Sequence, residues 1–276
     1  MKENYDLLNS VSETLFIPLA YKAEETKRNN PIITDKKACE IIKKVDFDFP
    51  KLKNKRASRV GIALRANYFD QQVIDFIKNH ENPVVISLGC GLDTRYDRIG
   101  HYAEKAKFYH VDLESVINIR QTLIPPKRND NYISSSMFDD KWIRQIKEET
   151  NHSNYNFIIV IEGVIMYFPE NENKSLFNRL AKEFKGAYIA FDLLNKWMSL
   201  SSKKHESVKC FDATFKSGLD DEREIEKWAD GLTYMETKLL KDCPRFEDMG
   251  LLWASKMRFI PKYRTQLRMV MYKTDM

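Results

Sequence analysis

Four short strings put ligand-binding or reactive side chains at comparable places along this 276-residue chain. Leu88-Gly89-Cys90-Gly91-Leu92-Asp93-Thr94 follows the apolar run Val84-Val85-Ile86-Ser87, so two glycines stand where a buried strand must turn. Backbone without a Cβ lets a ligand come close there, although a pair of glycines is equally well a tight turn. A dinucleotide site asks for a third glycine at position 94, against the pyrophosphate, and that position is Thr94. Asp93 would repel a pyrophosphate and suits a cationic ligand. S-adenosylmethionine, with a sulfonium, an α-amino group and no phosphate, is such a ligand. Asp112 ends the run Phe108-Tyr109-His110-Val111, 21 residues after Gly91, where a carboxylate takes ribose hydroxyls in this kind of architecture. Capping the helix that begins at Leu113 is its competing role. Ser136-Met137-Phe138-Asp139 offers apolar and polar side chains that suit an adenine. Glu162-Gly163 closes a run of five apolar residues. A buried unpaired charge is costly, so Glu162 is expected to face a cleft. Tyr167, just beyond, can orient an acceptor oxygen.

Those strings need a frame that brings them together. From Pro83 onward, short apolar runs at 84–88, 108–111, 132–133, 157–161 and 188–191 alternate with segments long enough for helices at 114–122, 140–150 and 170–184. Asp192 closes the last run. Strand and helix in alternation give a parallel α/β sheet with right-handed crossovers, whose ligands sit at the carboxyl ends of the strands. The four strings then share one cleft. Beyond residue 195, positions 220–229 read as a charged helix, and 232–240 and 266–272 as two closing strands, an antiparallel edge pair. Before Pro83 the chain reads as helical. Leu7, Leu8, Val11, Leu15, Leu19 and Ala23 mark a helical face that Pro18 divides into two short helices. Asp35 is placed to cap a helix carrying Ala38, Ile41, Ile42 and Val45, and apolar spacing over 60–79 makes a long helix containing Arg65.

Composition narrows the partners. Lys and Arg number 45 against 40 Asp and Glu, a formal charge of +5, which leaves no strong field for nucleic acid. Much of the excess falls at Lys51, Lys53, Lys55, Arg56 and Arg59, a cluster without aromatics that reads as a solvated face. Cys39, Cys90, Cys210 and Cys243 form no CxxC pair, and the sequence opens without a signal-peptide pattern, so reduced thiols in a cytoplasmic protein are expected and no metal. The longest apolar runs are about five residues, against roughly 20 needed to cross a bilayer. Neither nucleic acid nor a membrane is an expected partner.

The strings also resemble a known family. Val84 to Asp97 (VVISLGCGLDTRYD), Phe108 to Leu113 (FYHVDL) and Ile161 to Pro169 (IEGVIMYFP) look like the leucine carboxyl methyltransferase family, especially its bacterial branch of polyketide-type O-methyltransferases. Thr14 to Thr26 and Pro31 to Ala38 are similar to that branch's opening helices. The resemblance implies a class I methyltransferase, Rossmann-like: a seven-stranded, mostly parallel sheet with an antiparallel edge pair, under an N-terminal helical lid. It divides a single domain into a lid (1–80), a cofactor-binding core (83–195) and an insertion with closing strands (196–276). It implies S-adenosylmethionine as methyl donor. Arg65 would clamp the donor's carboxylate; Gly89, Cys90, Gly91, Asp93, Asp112, Leu113, Met137, Phe138 and Glu162 would line the donor site. Tyr21, Lys22 and Tyr68 on the lid would meet the acceptor. Two positions depart from the pattern: Ser136-Met137-Phe138 stands where the family tends to have Asp-Leu-Arg, so a carboxylate contact to adenine comes from Asp139 or is absent, and Lys22 replaces an Arg. The expected activity is O-methylation of a carboxylate or hydroxyl of a small molecule. A carboxylate is the favoured acceptor, because it is already a nucleophile at neutral pH and no His-Asp dyad lies near the strand ends. Methylation of a protein C-terminus, non-catalytic donor binding, and a nicotinamide oxidoreductase disfavoured by Thr94 are the alternatives.

Overall fold

The computed structural model describes residues 15–45, 55–150, 154–201 and 214–276. Helix α1 spans Phe16–Thr26, α2 Lys36–Lys44 and α3 Arg56–Asn79. Asp35 caps α2 as expected, its Oδ1 accepting from Ala38 N at 2.8 Å. Pro18 does not break α1. It is the third residue of the helix, where a backbone N–H has no intrahelical acceptor and its loss is harmless. The first of the two short helices expected there lies outside the described residues, as do Lys51, Lys53 and Cys210.

Seven strands follow: β1 (Pro83–Leu88), β2 (Lys107–Asp112), β3 (Asp130–Ser134), β4 (Asn156–Ile161), β5 (Tyr188–Leu194), β6 (Leu232–Leu239) and β7 (Leu267–Thr274). They form one sheet in the order β3-β2-β1-β4-β5-β7-β6. The first five run parallel and β7 enters antiparallel between β5 and β6. The strand order reverses between β1 and β4, so their carboxyl ends flank a crevice. Fully buried strands read as continuous apolar runs because both faces are covered. The remaining helices are α4 (Arg95–Arg98), α5 (Glu114–Leu123), α6 (Lys141–Thr150), α7 (Glu170–Glu183), α8 (Lys196–Ser199), α9 (Leu251–Phe259) and α10 (Pro261–Arg264). Trp142 and Ile146 of α6 and Leu176, Phe177 and Leu180 of α7 pack on one face against Ile86, Ile159 and Phe191. Val60, Leu64, Phe69 and Val73 of α3 pack with Met257 of α9 on the other face, against Val85, Val160 and Met269. Between Asp220 and Ala229 the expected helix is a 3₁₀ turn, Glu222–Lys227. Asp221 opens that turn by accepting from Arg223 N.

Helices α1 and α2 sit over the end of β1. Phe16, Leu19 and Ala23 of α1 and Ile41 of α2 share a core with Leu92 of the glycine loop and with Ile119 and Leu123 of α5. Part of the basic cluster also serves this assembly rather than a solvated face. Arg59 of α3 bonds Glu24 Oε1 at 2.9 Å and the buried Glu25 Oε2 at 3.2 Å, fastening α1 to α3.

Candidate active site

The loops after β1, β2, β3 and β4 open onto one cavity of about 830 Å³. The loop after β1 turns at Gly89, whose φ of +62° suits glycine, and a Cβ there would stand 2.7 Å from Val164 Cγ2. A Cβ on Gly91 would lie 3.0 Å from Leu15 Cδ2. The two glycines therefore let the loop pack against neighbouring segments as well as line the cleft. Asp112 joins the ends of β2 and β1: Oδ2 accepts from Gly91 N and Oδ1 from Leu113 N, both at 2.8 Å. It does not cap α5, whose first turn lacks a side-chain cap. Burial pushes its carboxyl above the usual range, opposed by those two N–H bonds and by Arg120. Each oxygen keeps a lone pair for a ligand hydroxyl.

Beside this pair lies a linked ion network. Arg65 of α3 donates from Nε to Glu162 at 3.1 Å and from a terminal nitrogen to Asp192 at 2.9 Å. Arg95 reaches the other oxygen of Glu162 at 2.5 Å, Asp70 at 3.0 Å and Asp93 at 3.3 Å. Arg98 holds Asp70, Asp93 and Asp35, and Lys22 of α1 meets Asp93 at 2.5 Å. Burial alone would raise Asp93, but Arg98, Lys22 and Arg95 hold it well below the usual carboxylate range. Arg65, Lys22 and Arg95 likewise outweigh burial at Glu162 and lower it. Asp192 is raised, because burial there exceeds the help from Arg65 and from Gly163 N, which donates to it at 2.6 Å. Gly163 has φ +72°, and a Cβ on it would sit 3.1 Å from an Arg65 nitrogen, so this glycine gives the guanidinium its seat. The cations Lys22, Arg65, Arg95 and Arg98 thus face the carboxylates Asp35, Asp70, Asp93, Glu162 and Asp192, with Asp112 next to them. Arg120 adds a fifth cation beside Asp112 and Asp93, and on the cavity wall itself Lys22, Arg65 and Arg95 balance Asp93, Asp112 and Glu162.

The far part of the cavity is apolar. Trp197, Phe215, Trp253, Met257 and Tyr263 line it with Met166. Among the described residues, no set of His, Cys, Asp and Glu is arranged to hold a metal ion.

A model of the leucine carboxyl methyltransferase family matches residues 16–181, more than half of the chain. The chain belongs to that family. Its relatives include the tetracenomycin polyketide synthesis O-methyltransferase TcmP of Streptomyces glaucescens, 26% identical over 96% of this chain and 97% of the relative. Another is an S-adenosyl-L-methionine-dependent methyltransferase of Gibberella zeae, 24% identical over 89% of this chain and 88% of its own length. Among solved structures, a methyltransferase-like protein from Thermobifida fusca superposes with a TM-score of 0.58 at 11% identity, covering 94% of this chain and 95% of that one. A DUF574 family protein from Streptomyces avermitilis gives 0.57 at 11% identity, with 93% and 96% covered. The fold is that of a class I methyltransferase, and the protein is an S-adenosylmethionine-dependent methyltransferase of this family.

The family's donor fits the residues present. Asp93, Asp112 and Glu162 on the cavity wall offer carboxylate oxygens to its amino group and ribose hydroxyls, and Arg65 a guanidinium to its carboxylate. Ser87 Oγ and Gln266 Oε1 line the cavity, buried and without hydrogen-bond partners among the described residues, so a polar guest can satisfy them. Of the residues expected at the donor site, Arg65, Gly89, Cys90, Gly91, Asp93, Asp112, Leu113, Met137, Phe138 and Glu162 all line the cavity. Asp139 is exposed and stands apart, so no carboxylate joins Met137 and Phe138 there. Tyr167 and Lys22 line it too. Tyr21 and Tyr68 do not: Tyr21 is fully buried beneath the cleft wall, and Tyr68 donates to Glu236 of β6 at 2.8 Å. Arg95, Arg98, Asp70 and Asp192 were not expected at the site. Signals for them exist: Arg95 lies within the DTR string, and Asp70 and Asp192 are carboxylates on otherwise buried faces, which implies a partner.

Proposed function

We propose that this protein methylates a carboxylate of a small, largely apolar molecule, with a polyketide-type acid as the working class. When bound, S-adenosylmethionine supplies an electrophilic methyl on a sulfonium, and in-line attack by an acceptor oxygen leaves the thioether. In this reading Asp112 holds the ribose hydroxyls, Met137, Phe138 and Leu113 take the adenine, and Gly89, Cys90, Gly91 and Asp93 shape the backbone around the methionine. Arg65 receives the donor's carboxylate beside Glu162 and Asp192. Tyr167 orients the acceptor oxygen.

The observation that carries the carboxylate is that, among the described residues, the cavity wall holds no neutral-pH base. Among the described residues no histidine lines it. Glu162 is held low between two guanidiniums, and burial, opposed by Arg65, pushes the Tyr167 hydroxyl up to about 12. Burial also raises the Cys90 thiol. An alcohol or phenol would have to lose a proton to one of these groups; a carboxylate needs only alignment and desolvation. The name of the Streptomyces glaucescens relative supports a polyketide-type acceptor, as do the aromatic walls of the far cavity.

A screen with radiolabelled donor tests this. Aromatic polyketide acids, their methyl-blocked esters, matching phenols and a peptide ending in leucine are offered in parallel. Label on the free acids and none on the esters is expected. Label on phenols alone would remove the carboxylate reading, and label on the peptide alone would turn the assignment to a protein C-terminus.

A further inference from the structure

Helix α9 packs inward through Ala254 and Met257, both buried, and Trp253. Its outward side is apolar. Leu251, Leu252 and Phe259 are 87%, 66% and 73% exposed, and Ile260 just beyond is exposed as well. At about 100° per residue, Leu251, Ser255, Phe259 and Leu252 share one outward arc, with Arg258 at one border and Lys256 at the other. Single exposed leucines are ordinary, but a cluster of large apolar side chains with a polar rim marks an interaction site.

Within the segment 251–267 itself the charge has one sign, and Glu247 borders it beside Arg258. The segment contains Lys256, Arg258, Lys262 and Arg264 and no Asp or Glu. Lys256 lies over the Trp253 ring at 5.0 Å and Lys262 over Trp197 at 5.0 Å. Among the described residues neither lysine meets a carboxylate, whereas Arg258 shares Glu247 at 3.0 Å. Apolar side chains flanked by cations, above half-buried Trp and Tyr, have the make-up of a helix that lies in a bilayer interface. An acidic protein would answer the cations but would need a groove of its own for Leu252 and Phe259. An anionic lipid surface answers both.

We propose that α9 and the turn into α10 dock this protein on an anionic lipid surface, Leu251, Leu252, Phe259 and Ile260 entering the headgroup boundary while Lys256, Arg258, Lys262 and Arg264 meet the phosphates. No helix of the described residues is long and apolar enough to cross a membrane. The sequence expectation of no membrane partner rested on the lack of a spanning segment, which a peripheral face does not need. Trp253, Met257 and Tyr263 of the same segment line the cavity, so docking sets its apolar end at the lipid boundary, where an apolar acceptor dissolves.

Co-sedimentation of the full chain with vesicles tests the proposal, using phosphatidylcholine alone and phosphatidylcholine mixed with phosphatidylglycerol. Sedimentation with the anionic vesicles, weakened by salt, is expected. Leu252→Ser/Phe259→Ser should lower partitioning roughly tenfold or more, and Lys256→Glu/Lys262→Glu by a comparable factor. The first double variant changes only exposed side chains, and its thermal shift with S-adenosylhomocysteine should match the parent, which certifies its fold. Three results overturn the proposal: no sedimentation of the parent with anionic vesicles, sedimentation that survives Leu252→Ser/Phe259→Ser, or a lipid-free dimer that this variant abolishes, which would give the face to a second copy.

Discussion

Arg65 does two jobs at one atom group: it neutralises Asp192, which among the described residues only Gly163 N otherwise supports, and it shares Glu162 with Arg95. Removing one partner of a buried pair strands the other charge, so Arg65→Ala should cost about 3–5 kcal/mol of stability. The loss should shrink in acid, because the stranded Asp192 carboxyl, raised further in the variant, regains neutrality on protonation. Adding Asp192→Asn should restore most of it at pH 7, and urea unfolding of both variants checks this. A double variant no more stable than Arg65→Ala would mean that Arg65 acts through other contacts. His110 gives a second residue-level test. It is fully buried on β2, and its Nε2 lies 2.9 Å from Asp130 Oδ1 but off the line of a hydrogen bond. Burial, aided by Arg120, therefore prevails and lowers its pKa to about 4. A depressed histidine is neutral in the folded state and charged in the unfolded state below about 6.5. The stability it contributes is complete above that value and lost as pH falls toward 4, roughly 3 kcal/mol in all. Urea midpoints of the parent should drop across that window, and those of His110→Gln should drop less. At this scale the sequence revealed Asp112 and Glu162 because each ends an apolar run. It could not reveal that Arg65 answers two carboxylates, since Asp192 lies 127 positions away and only the fold brings it near.

Between the elements, Asp35 is the joint that holds α2 to α4. Its Oδ1 caps α2 while Oδ2 accepts from Thr94 Oγ1 at 2.5 Å and from Arg98 at 3.2 Å. One side chain thus ties an N-terminal helix to the helix after the glycine loop. Asp35→Ala removes the cap, about 1 kcal/mol, and weakens the hold on a buried guanidinium, for about 2–4 kcal/mol in total. Asp35→Asn keeps the cap and should lose only the second part. Urea unfolding separates the two, and equal losses from both variants would show that the cap contributes nothing. The cap itself was legible, since Asp before a helical apolar pattern is a local signal. So were the parallel strands, whose runs are apolar through both faces. The segment after residue 195 was legible only in its strands: between 220 and 229 the charges follow a helical rhythm, yet Tyr272 Oη donates to Glu222 O and Arg268 bonds Asp220 O, and these ties to β7 leave a 3₁₀ turn. Tertiary bonds of that kind have no local signature.

Over the whole molecule, the polar half of the cavity is built from the ends of strands and the apolar half from α8 to α10, with α1 laid across the glycine loop. Leu15, Ile17, Pro18, Leu19 and Lys22 all reach the cavity wall. In the proposed reading a donor held by Asp112 and Arg65 lies partly beneath α1, and its exchange is expected to lift this helix. Lys22 and Asp93 form the only ion pair of α1 with the glycine loop among the described residues, and Leu92 supplies the apolar part of the contact. Ligand that binds the folded state alone stabilises it by mass action, about 2.7 kcal/mol at a hundredfold excess over Kd. S-adenosylhomocysteine at such excess should raise Tm by about 5 °C or more, and NAD, which asks for a third glycine where Thr94 stands, should not. Asp112→Ala should weaken binding roughly tenfold or more and so remove about half of the shift at the same concentration. Hydrogen exchange locates the effect. With ligand bound, amides of α1 should slow together with those of the loop after β1, because both must open for release, whereas β6 and β7 should not change. Slowing in the loop alone would mean that α1 is no lid and that donor enters past it, leaving Lys22 a structural partner of Asp93.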